Sequence, residues 1–503
     1  MTHSDDDSFG LVEATVGEVH HAIESGELTA EQLVEGYLER IRAYDDELNA
    51  ILTVNEDAPA RAARLDSRFE GDGFIGPLHG VPVVLKDNQN THDMPTTAGA
   101  SALADLVPPS DAAIVKRLRD AGGIVVAKAN LQELSFGVDT ISSLGDETRN
   151  AYALDHRPSG SSGGTAASIA ANLGLVGTGS DTCSSVRSPA AFNNLVGIRP
   201  TRGLLSRTGI VPLSESQDTA GPITRTVSDA ARMLDVMAGY DIADPVTARG
   251  VGKVPEQGYT AHLDEDGLDG AKIGILREFF GLQETDSAPE ERADAVTDII
   301  DSAIDEMRAC GASIVDPVEI DGTGLLESAR VLHYEFKRDM NEYLTEYGET
   351  ASCNTLTEMI ESGEVTPTVA SRIKRDGIID VDVEGLSRNR DYHRRLSHRE
   401  KMATKTIQLL VEDELDALLY PPSTIPPVEI PENQPFNELN CELSAHTGLP
   451  SIVFQAGFTD EGLPVGVELL GREFAEPRLL ELAYAYKQAT DHRRSPDGFG
   501  ELE

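Results

Sequence analysis

Two short serine-rich turns and one lysine are the residues of this sequence best suited to chemistry. The first turn, residues 159–165, reads Ser-Gly-Ser-Ser-Gly-Gly-Thr, and the second, residues 179–187, reads Gly-Ser-Asp-Thr-Cys-Ser-Ser-Val-Arg. Lys86 lies upstream, directly after the apolar run 81–85. A lysine and two serines are the smallest set that lets an amine, in place of an imidazole, activate an alcohol nucleophile. The pattern therefore indicates a hydrolase.

The turns also suggest a role for each residue. Ser185 is the candidate nucleophile because it ends a tight turn of small residues. Ser161 lies among glycines, where unusual backbone conformations cost little, and it could carry a proton between Ser185 and Lys86. Lys86 must then be neutral, which requires that burial lower its pKa. Four successive main-chain N–H groups could form the oxyanion hole, those of Thr182, Cys183, Ser184 and Ser185.

The elements that must position these residues alternate between strand and helix patterns. Helices are expected at 112–120, capped by Ser110, and at 165–172. Another is expected around the apolar stripe 296–307. Alternation of this kind predicts an α/β fold, a single large domain in which helices cover a central sheet. Strands are expected from the apolar runs at 81–85, 124–127, 175–177, 273–276, 314–315, 417–421, 451–454 and 465–470.

Two segments of the chain are expected to be mainly helical. Residues 1–70 are expected to be helical and to pack on the main body at 71–495, because Thr15-Val16-Gly17-Glu18 and Thr29-Ala30-Glu31-Gln32 are capping-box patterns. The charged segment 320–410 is expected to form a helical cap over the cleft. No internal repeat or long linker divides the chain.

The charge balance is strongly acidic. The 503 residues contain 42 basic and 86 acidic side chains, a net charge of −44, and only ten of the basic residues are lysine. A uniformly acidic, lysine-poor chain favours adaptation to high salt, where screening weakens self-repulsion. Direct binding of nucleic acid is not expected, because phosphate contacts need clustered lysine and arginine.

The cysteine pattern and the hydropathy of the chain predict its cellular location. The four cysteines lie far apart without a CxxC pair, so neither a disulfide framework nor a zinc site is expected. The acidic N-terminus lacks the pattern of a signal peptide, and no apolar run approaches the ~18 residues of a membrane span. These features predict a cytoplasmic protein that does not bind membranes.

Taken together, the motifs resemble those of the amidase signature family. The family's Gly-Gly-Ser-Ser-Gly-Gly-Ser turn matches residues 159–165, and its Ser-Asp-Thr-Gly-Gly-Ser-Ile-Arg turn matches residues 180–187. Ser161 and Ser185 lie 24 residues apart, which is also the interval in the family pattern. Further similarity lies at 86–88, 94–99, 218–222, 447–450 and 462–466, and the segment 94–99 resembles the general and peptide amidase branch.

The resemblance implies the amidase signature fold, with a mixed central sheet and helices on both faces. It also implies a Ser-cis-Ser-Lys triad in which Ser185 is acylated, Ser161 follows a cis peptide bond and Lys86 is the base. The expected activity is hydrolysis of a linear amide without a metal or organic cofactor. The expected binding partner is a small-molecule amide substrate. The sequence does not determine whether the protein forms a homo-oligomer.

The sequence departs from the family pattern in both turns, and Ser159 replaces the first glycine of the upstream turn. Cys183-Ser184 replaces the Gly-Gly pair before the nucleophile, which could narrow the acyl pocket. Asp181 and Arg187 are expected to brace the turn by hydrogen bonds and ion pairing. A catalytic Cys183, or a histidine base at His79 or His156, is the weaker interpretation because the lysine is available.

The sequence leaves three functions open. The first is a stand-alone amidase. The second is the glutaminase subunit of an aminoacyl-tRNA amidotransferase, whose partner subunits would hold the tRNA. The third is a relative that kept the fold for binding alone, which the presence of all three triad residues disfavours. Pocket walls are expected in 90–145 and 320–450.

Overall fold

The computed structural model describes residues 9–283, 286 and 288–502. The helices in this part of the chain are α1 (Val16–Ser25), α2 (Ala30–Leu48), α3 (Ala58–Asp72), α4 (Ala113–Asp120), α5 (Gly163–Ala170), α6 (Arg187–Phe192), α7 (Val227–Met237), α8 (Glu290–Ala309), α9 (Leu332–Tyr347), α10 (Leu356–Ser362), α11 (Pro367–Arg375), α12 (Arg390–Glu412), α13 (Glu442–Thr447) and α14 (Glu476–Ala489). The strands are β1 (Ile51–Val54), β2 (Pro82–Lys86), β3 (Ile124–Ala129), β4 (Ile141–Ser142), β5 (Asp146–Glu147), β6 (Val176–Asp181), β7 (Val196–Arg199), β8 (Thr219–Thr224), β9 (Lys272–Ile275), β10 (Ser313–Val315), β11 (Ala417–Tyr420), β12 (Ser451–Phe458) and β13 (Pro464–Leu470).

Eleven strands of the described residues form one mixed sheet. Their order is β1-β3-β2-β6-β8-β7-β12-β13-β11-β9-β10. The groups β3-β2-β6 and β11-β9-β10 are parallel, and all other neighbours are antiparallel. The strands β4 and β5 pair apart from this sheet. The prediction of an α/β fold built on a central mixed sheet is therefore confirmed.

Helices cover both faces of the sheet, as strand β2 illustrates. Val83 and Leu85 belong to an apolar cluster that contains residues of α1 and α4, whereas Val84 belongs to a second cluster with residues of α2 and α5. Successive residues of a strand point to opposite faces, so these clusters are the two layers between sheet and helices. Lys86 shares the parity of Val84 and therefore points toward the α5 layer.

The N-terminal helices begin where the sequence places them. In both capping boxes the threonine side chain accepts from the N3 main chain, and the N3 side chain accepts from the cap's N–H. Two expectations fail locally. Residues 51–54 form the edge strand β1, not helix, because they pair with β3. Helix α4 starts after Ala112 without a side-chain cap, so Ser110 does not cap it.

Strands β7 and β8 are absent from the sequence-based prediction. Both are short and interrupted by glycine, with Gly197 in one and Gly221 in the other. A Cβ at Gly221 would lie 1.9 Å from the carbonyl oxygen of Ile198 in the neighbouring strand. Close approach of two strands, which apolar patterning does not report, therefore explains this glycine.

Four helices, α9–α12, lie between residues 332 and 412 and form most of the charged segment 320–410. Phe336 and Tyr343 of α9 pack in one apolar cluster with Phe136 and Leu213 of the main body. The rings of Phe136 and Phe336 stack with centroids 5.7 Å apart. None of the helices in the described part of the chain is both long and apolar enough to cross a bilayer.

Candidate active site

Lys86 ends strand β2 and is fully buried. Its Nζ donates hydrogen bonds to Ser161 Oγ at 2.6 Å and to Ser180 Oγ at 2.9 Å. Burial lowers the pKa of Lys86 to about 7, against the opposing effect of the Asp181 and Asp218 carboxylates. Because a buried amine without an adjacent carboxylate partner loses its proton readily, a large neutral fraction is available near pH 7.

Ser161 lies in the glycine-rich turn that leads into α5. The Gly160–Ser161 peptide bond is cis, and the main-chain oxygen of Ser161 accepts from Gln132 N at 3.0 Å. The next residue, Ser162, donates its N–H to the carbonyl oxygen of Ser185 at 3.2 Å. The turn thus holds the Ser161 side chain against Lys86 and ties its own backbone to the second serine turn.

Ser180 is the member of this cluster that the sequence does not single out. Its Oγ contacts Lys86 Nζ and also accepts a hydrogen bond from Asn88 Nδ2 at 2.9 Å. Ser180 lies at the end of β6, next to β2, and only this strand pairing brings it to the lysine. Several serines share the turn, so spacing alone cannot indicate which one faces Lys86.

Ser185 lies between β6 and α6, two residues before the helix begins, and it is 6% exposed. Among the hydrogen bonds of the described residues, the main-chain N–H groups of Cys183, Ser184 and Ser185 donate none to the protein. All three residues line a small cavity of about 50 Å³. Donors that stay free beside a nucleophile are what an oxyanion hole requires.

Thr182, the fourth expected donor, is held by its side chain. Its Oγ1 donates to Asp218 Oδ1 at 2.6 Å, and its carbonyl oxygen accepts from Gln217 Nε2 at 3.1 Å. Burial raises the pKa of the Asp218 carboxyl. The segment before β8 therefore fixes the start of the serine turn.

Asp181 and Arg187 lie beneath the turn and are buried. Asp181 Oδ2 accepts from Val186 N at 3.0 Å and from Arg187 Nε at 3.2 Å, and Arg199 Nη1 donates to Asp181 Oδ1 at 2.8 Å. Although burial opposes it, the two guanidinium groups hold the pKa of Asp181 below its usual value. Arg187 Nη1 also pairs with Glu468 at 2.6 Å. Neither Asp181 nor Arg187 lines the cavity of Ser185.

Cys183 forms a disulfide with Cys441, across 258 residues of sequence. The sequence predicted no disulfide framework and did not indicate this single bond, because distance along the chain says nothing about proximity in the fold. Cys441 precedes α13, and its carbonyl oxygen accepts from Arg187 Nη2 at 3.1 Å. The bond fastens the second serine turn to α13. Disulfides are rare in cytosolic proteins, so this bond is unusual for the predicted cytoplasmic location. That location stays a prediction.

The bond also accounts for Cys183, one of the residues that depart from the family pattern. The sulfur of Cys183 is engaged with Cys441 and is not a free nucleophile. Ser184 Oγ, by contrast, is buried without a hydrogen-bond partner in the protein. Both residues line the cavity of Ser185, and the narrowing of the acyl pocket stays a prediction.

A second, larger cavity of about 260 Å³ adjoins the first. Its wall includes Ser180 and Thr182 from the serine turn and Tyr343 and Tyr347 from α9. Walls of the two cavities come from the expected segments 90–145 and 320–450, and also from residues 207–219, which the sequence did not indicate.

The histidines near the motifs have contacts elsewhere. His79 is buried and packs on Phe74, with ring centroids 5.2 Å apart, and it accepts from Ile75 N at 3.3 Å. His156 Nδ1 lies 2.7 Å from Asp155 Oδ1. Neither histidine lines the cavity that holds Ser185.

Comparison with known sequences identifies the family of this chain. The family model described as Amidase matches residues 32–480. A protein of Arabidopsis thaliana described as a probable amidase is 34% identical, over 97% of this chain and 92% of its own length. A glutamyl-tRNA(Gln) amidotransferase subunit from Alkaliphilus metalliredigens is 32% identical, over 95% of this chain and 96% of its own length.

Solved structures give the same result. The native peptide amidase from Stenotrophomonas maltophilia superposes with a TM-score of 0.86 at 36% identity, and the match covers 96% of this chain and 98% of that one. The corresponding glutamyl-tRNA(Gln) amidotransferase subunit from Thermotoga maritima gives a TM-score of 0.75 at 26% identity, with 96% of each chain covered. With a family match across most of its length and relatives above 30% identity, this chain belongs to the amidase family.

Proposed function

We propose that the protein hydrolyses a linear carboxamide to a carboxylic acid and ammonia or an amine, through an ester formed on Ser185. The observation that carries the proposal is Lys86, a fully buried amine 2.6 Å from Ser161 Oγ with a pKa lowered to about 7. A neutral amine within hydrogen-bond distance of a serine can withdraw the proton of an alcohol nucleophile.

In the acylation step, Ser161 relays the proton. Ser185 Oγ attacks the carbonyl carbon while its proton passes to Ser161 Oγ, and the proton of Ser161 passes to Lys86 Nζ. The N–H groups of residues 182–185 stabilise the oxyanion of the tetrahedral intermediate. The C–N bond then breaks, and the proton returns from Lys86 through Ser161 to the departing nitrogen.

Deacylation repeats these transfers with water as the nucleophile. Water loses a proton through Ser161 to Lys86 and attacks the ester carbon. Ser185 takes that proton back as the C–O bond breaks, which restores the starting protonation state. No step requires a metal or an organic cofactor. Asp181 and Arg187 act on the turn and not on the substrate, since they lie beneath it.

The substrate is proposed to enter below the helical segment 320–410, which would act as the cap of the cleft. Tyr343 and Tyr347 of α9 already form one wall of the larger cavity. A peptide amidase among the structural relatives makes peptide amides the first class to test.

A second candidate is the glutaminase subunit of an aminoacyl-tRNA amidotransferase. The similarity to the amidotransferase protein of Alkaliphilus metalliredigens, which spans 96% of that chain, favours it. The same triad would release ammonia from glutamine for a partner subunit. Direct tRNA binding by this chain is not part of either proposal, because its net charge is −44.

Ammonia release by the purified chain in multimolar KCl separates the two functions. The panel contains aliphatic amides, aromatic amides, peptide amides and glutamine, with Ser185→Ala as the blank. Release from simple or peptide amides that the blank lacks supports the stand-alone amidase. Release from glutamine alone, or only after a partner subunit is added, supports the amidotransferase role. Release that is equal in the blank contradicts both.

A further inference from the structure

The two cavities of the candidate site share a wall. Ser135, Thr182 and Leu213 line both the small cavity that holds Ser185 and the larger one below α9. The cavities are therefore adjoining lobes of one cleft. A substrate bonded to Ser185 whose acyl group extends into the larger lobe must pass these three residues.

Ser135 has an unusual backbone conformation that main-chain hydrogen bonds support. Both Leu134 and Ser135 are left-handed, with φ of 53° and 55°. Leu134 N donates to Ala98 O at 2.8 Å, and Ser135 N donates to Gln132 O at 2.8 Å. Non-glycine residues adopt this conformation at a cost, and such residues cluster at binding and catalytic sites. The surrounding contacts hold the turn in place.

Glu133, two residues before Ser135, anchors the turn from the other side. Its carboxylate accepts from Thr366 N at 2.7 Å and from Thr366 Oγ1 at 2.6 Å, and it also accepts from Ser143 Oγ. Thr366 precedes α11 in the charged segment. Glu133 thus links the turn both to Ser143 of the main body and to the start of α11.

The hydroxyl of Ser135 has no partner within the protein. The residue is only 6% exposed, and its Oγ makes no hydrogen bond to any protein atom. A buried hydroxyl that makes no hydrogen bond is unfavourable, and each such group in a native fold calls for an explanation. Because Ser135 lies on the wall between the two lobes, a substrate in the cleft can supply the missing partner.

We propose that Ser135 determines substrate specificity: its Oγ hydrogen-bonds a polar group of the acyl chain as that chain passes between the lobes. The site then favours amides that carry a second amide, as peptide amides do, over alkyl amides of the same shape. An alkyl chain at this point leaves the buried hydroxyl unpaired, and sites of this kind reject such analogues. The inference rests on the proposed amidase function and specifies its substrate.

A matched pair of amides tests the inference. N-acetylglycinamide and 4-methylpentanamide have the same chain length and branching, and only the first has an internal N–H and C=O. The wild-type protein should prefer N-acetylglycinamide. Ser135→Ala should lower kcat/KM for N-acetylglycinamide by roughly tenfold, mainly through KM, and should leave it unchanged or raise it for 4-methylpentanamide. Equal losses on both amides, or no loss on either, would overturn the inference.

Two further variants provide a control and an alternative to Ser135→Ala. Ser101→Ala removes a hydroxyl that donates to Ser143 O outside both cavities, and it should leave the ratio of the two amides unchanged. If Ser135→Ala does not fold, Ser135→Gly also removes the hydroxyl and relieves the positive φ. Either Ser135 variant should unfold at the wild-type temperature or above, because the hydroxyl bonds to no protein atom.

Equilibrium binding separates this inference from the proposed reaction. In the Ser185→Ala background, calorimetry should give tighter binding of N-acetylglycinamide than of 4-methylpentanamide, and Ser135→Ala should remove the difference. This outcome supports the role of Ser135 even where the wild-type protein releases no ammonia. A difference that survives Ser135→Ala overturns it even where turnover is normal.

Discussion

At the scale of single residues, the proposed reaction depends on one buried amine, that of Lys86. Lys86 has the hydroxyls of Ser161 and Ser180 as neighbours at 2.6 Å and 2.9 Å, and neither neutralises a positive charge. The sequence pattern and the family resemblance indicated Lys86, Ser161 and Ser185 as candidates, and the structure places Lys86 beside Ser161. The sequence could not select Ser180 or Ser135, since their roles depend on strand pairing and on a missing hydrogen-bond partner.

Removing the reacting groups should abolish turnover and leave the fold. We expect Ser185→Ala and Lys86→Ala each to lower kcat/KM for a good amide by at least about a thousandfold. Ser161→Ala should cost less, because a water molecule can replace the bridging hydroxyl. Ammonia assays with far-ultraviolet circular dichroism provide the measurement. Turnover near the wild-type level in either of the first two variants, with a folded spectrum, contradicts the assigned roles.

The protonation of Lys86 should set the acid limb of the pH profile. Burial lowers its pKa to about 7, and only the neutral amine can accept the proton of Ser185. We therefore expect kcat to rise through about pH 7 and to level off above pH 8, as steady-state rates from pH 5 to 9 would show. A rate that is constant from pH 5 to 9, or that falls as the pH rises through 7, would exclude a lysine base of this kind.

At the scale of elements, the second serine turn is the most heavily braced part of the site. It joins β6 to α6, lies over the ion pairs of Asp181, and is fastened to α13 through Cys441. Most strands could be predicted from short apolar runs. Their order in the sheet could not, since it depends on contacts between residues far apart in the chain, as the disulfide also does.

The disulfide should stabilise the protein more than it assists the reaction. A Cys183→Ala, Cys441→Ala double variant should lose about 2–5 kcal/mol of unfolding free energy, because the bond closes a very long loop. Its activity should stay within about tenfold of wild type, since Asp181 still binds Val186 N. Thermal unfolding with and without a phosphine reductant measures the first effect.

Cys310→Ala provides the matched control, because Cys310 is a free cysteine. It should leave the response to the reductant unchanged. If mass spectrometry shows the 183–441 bond reduced while the wild-type unfolding temperature stays constant, the stabilising role is wrong. Loss of all activity on reduction would instead make the bond part of the catalytic machinery.

At the scale of the whole molecule, the large negative charge is the property with the strongest expected effect on stability. The net charge of −44 on 503 residues opposes a compact state in dilute buffer, and lysine provides only ten of the 42 basic side chains. The fold class could be predicted because strand and helix patterns alternate over much of the chain, and the mixed sheet was implied by the family resemblance. The shape of the cleft could not be predicted, because its walls come from segments as distant as 135 and 436.

Salt should therefore stabilise the protein. Raising KCl from 0.1 M to 2 M shortens the screening length from about 10 Å to a few ångströms, which weakens repulsion among the carboxylates. We expect the midpoint of thermal unfolding to rise by several degrees or more. Calorimetric scans at matched pH provide the measurement, and a midpoint that is constant or falls with KCl contradicts adaptation to high salt.

The central claim is that an acyl group is transferred to Ser185, and mass spectrometry of the acid-quenched enzyme tests it most directly. During turnover of a good amide, the peptide that contains Ser185 should gain the mass of the acyl group, and fragmentation should place it on Ser185 Oγ. The adduct should be absent from Ser185→Ala. An adduct on another residue, or turnover at wild-type rate by Ser185→Ala, would contradict the account.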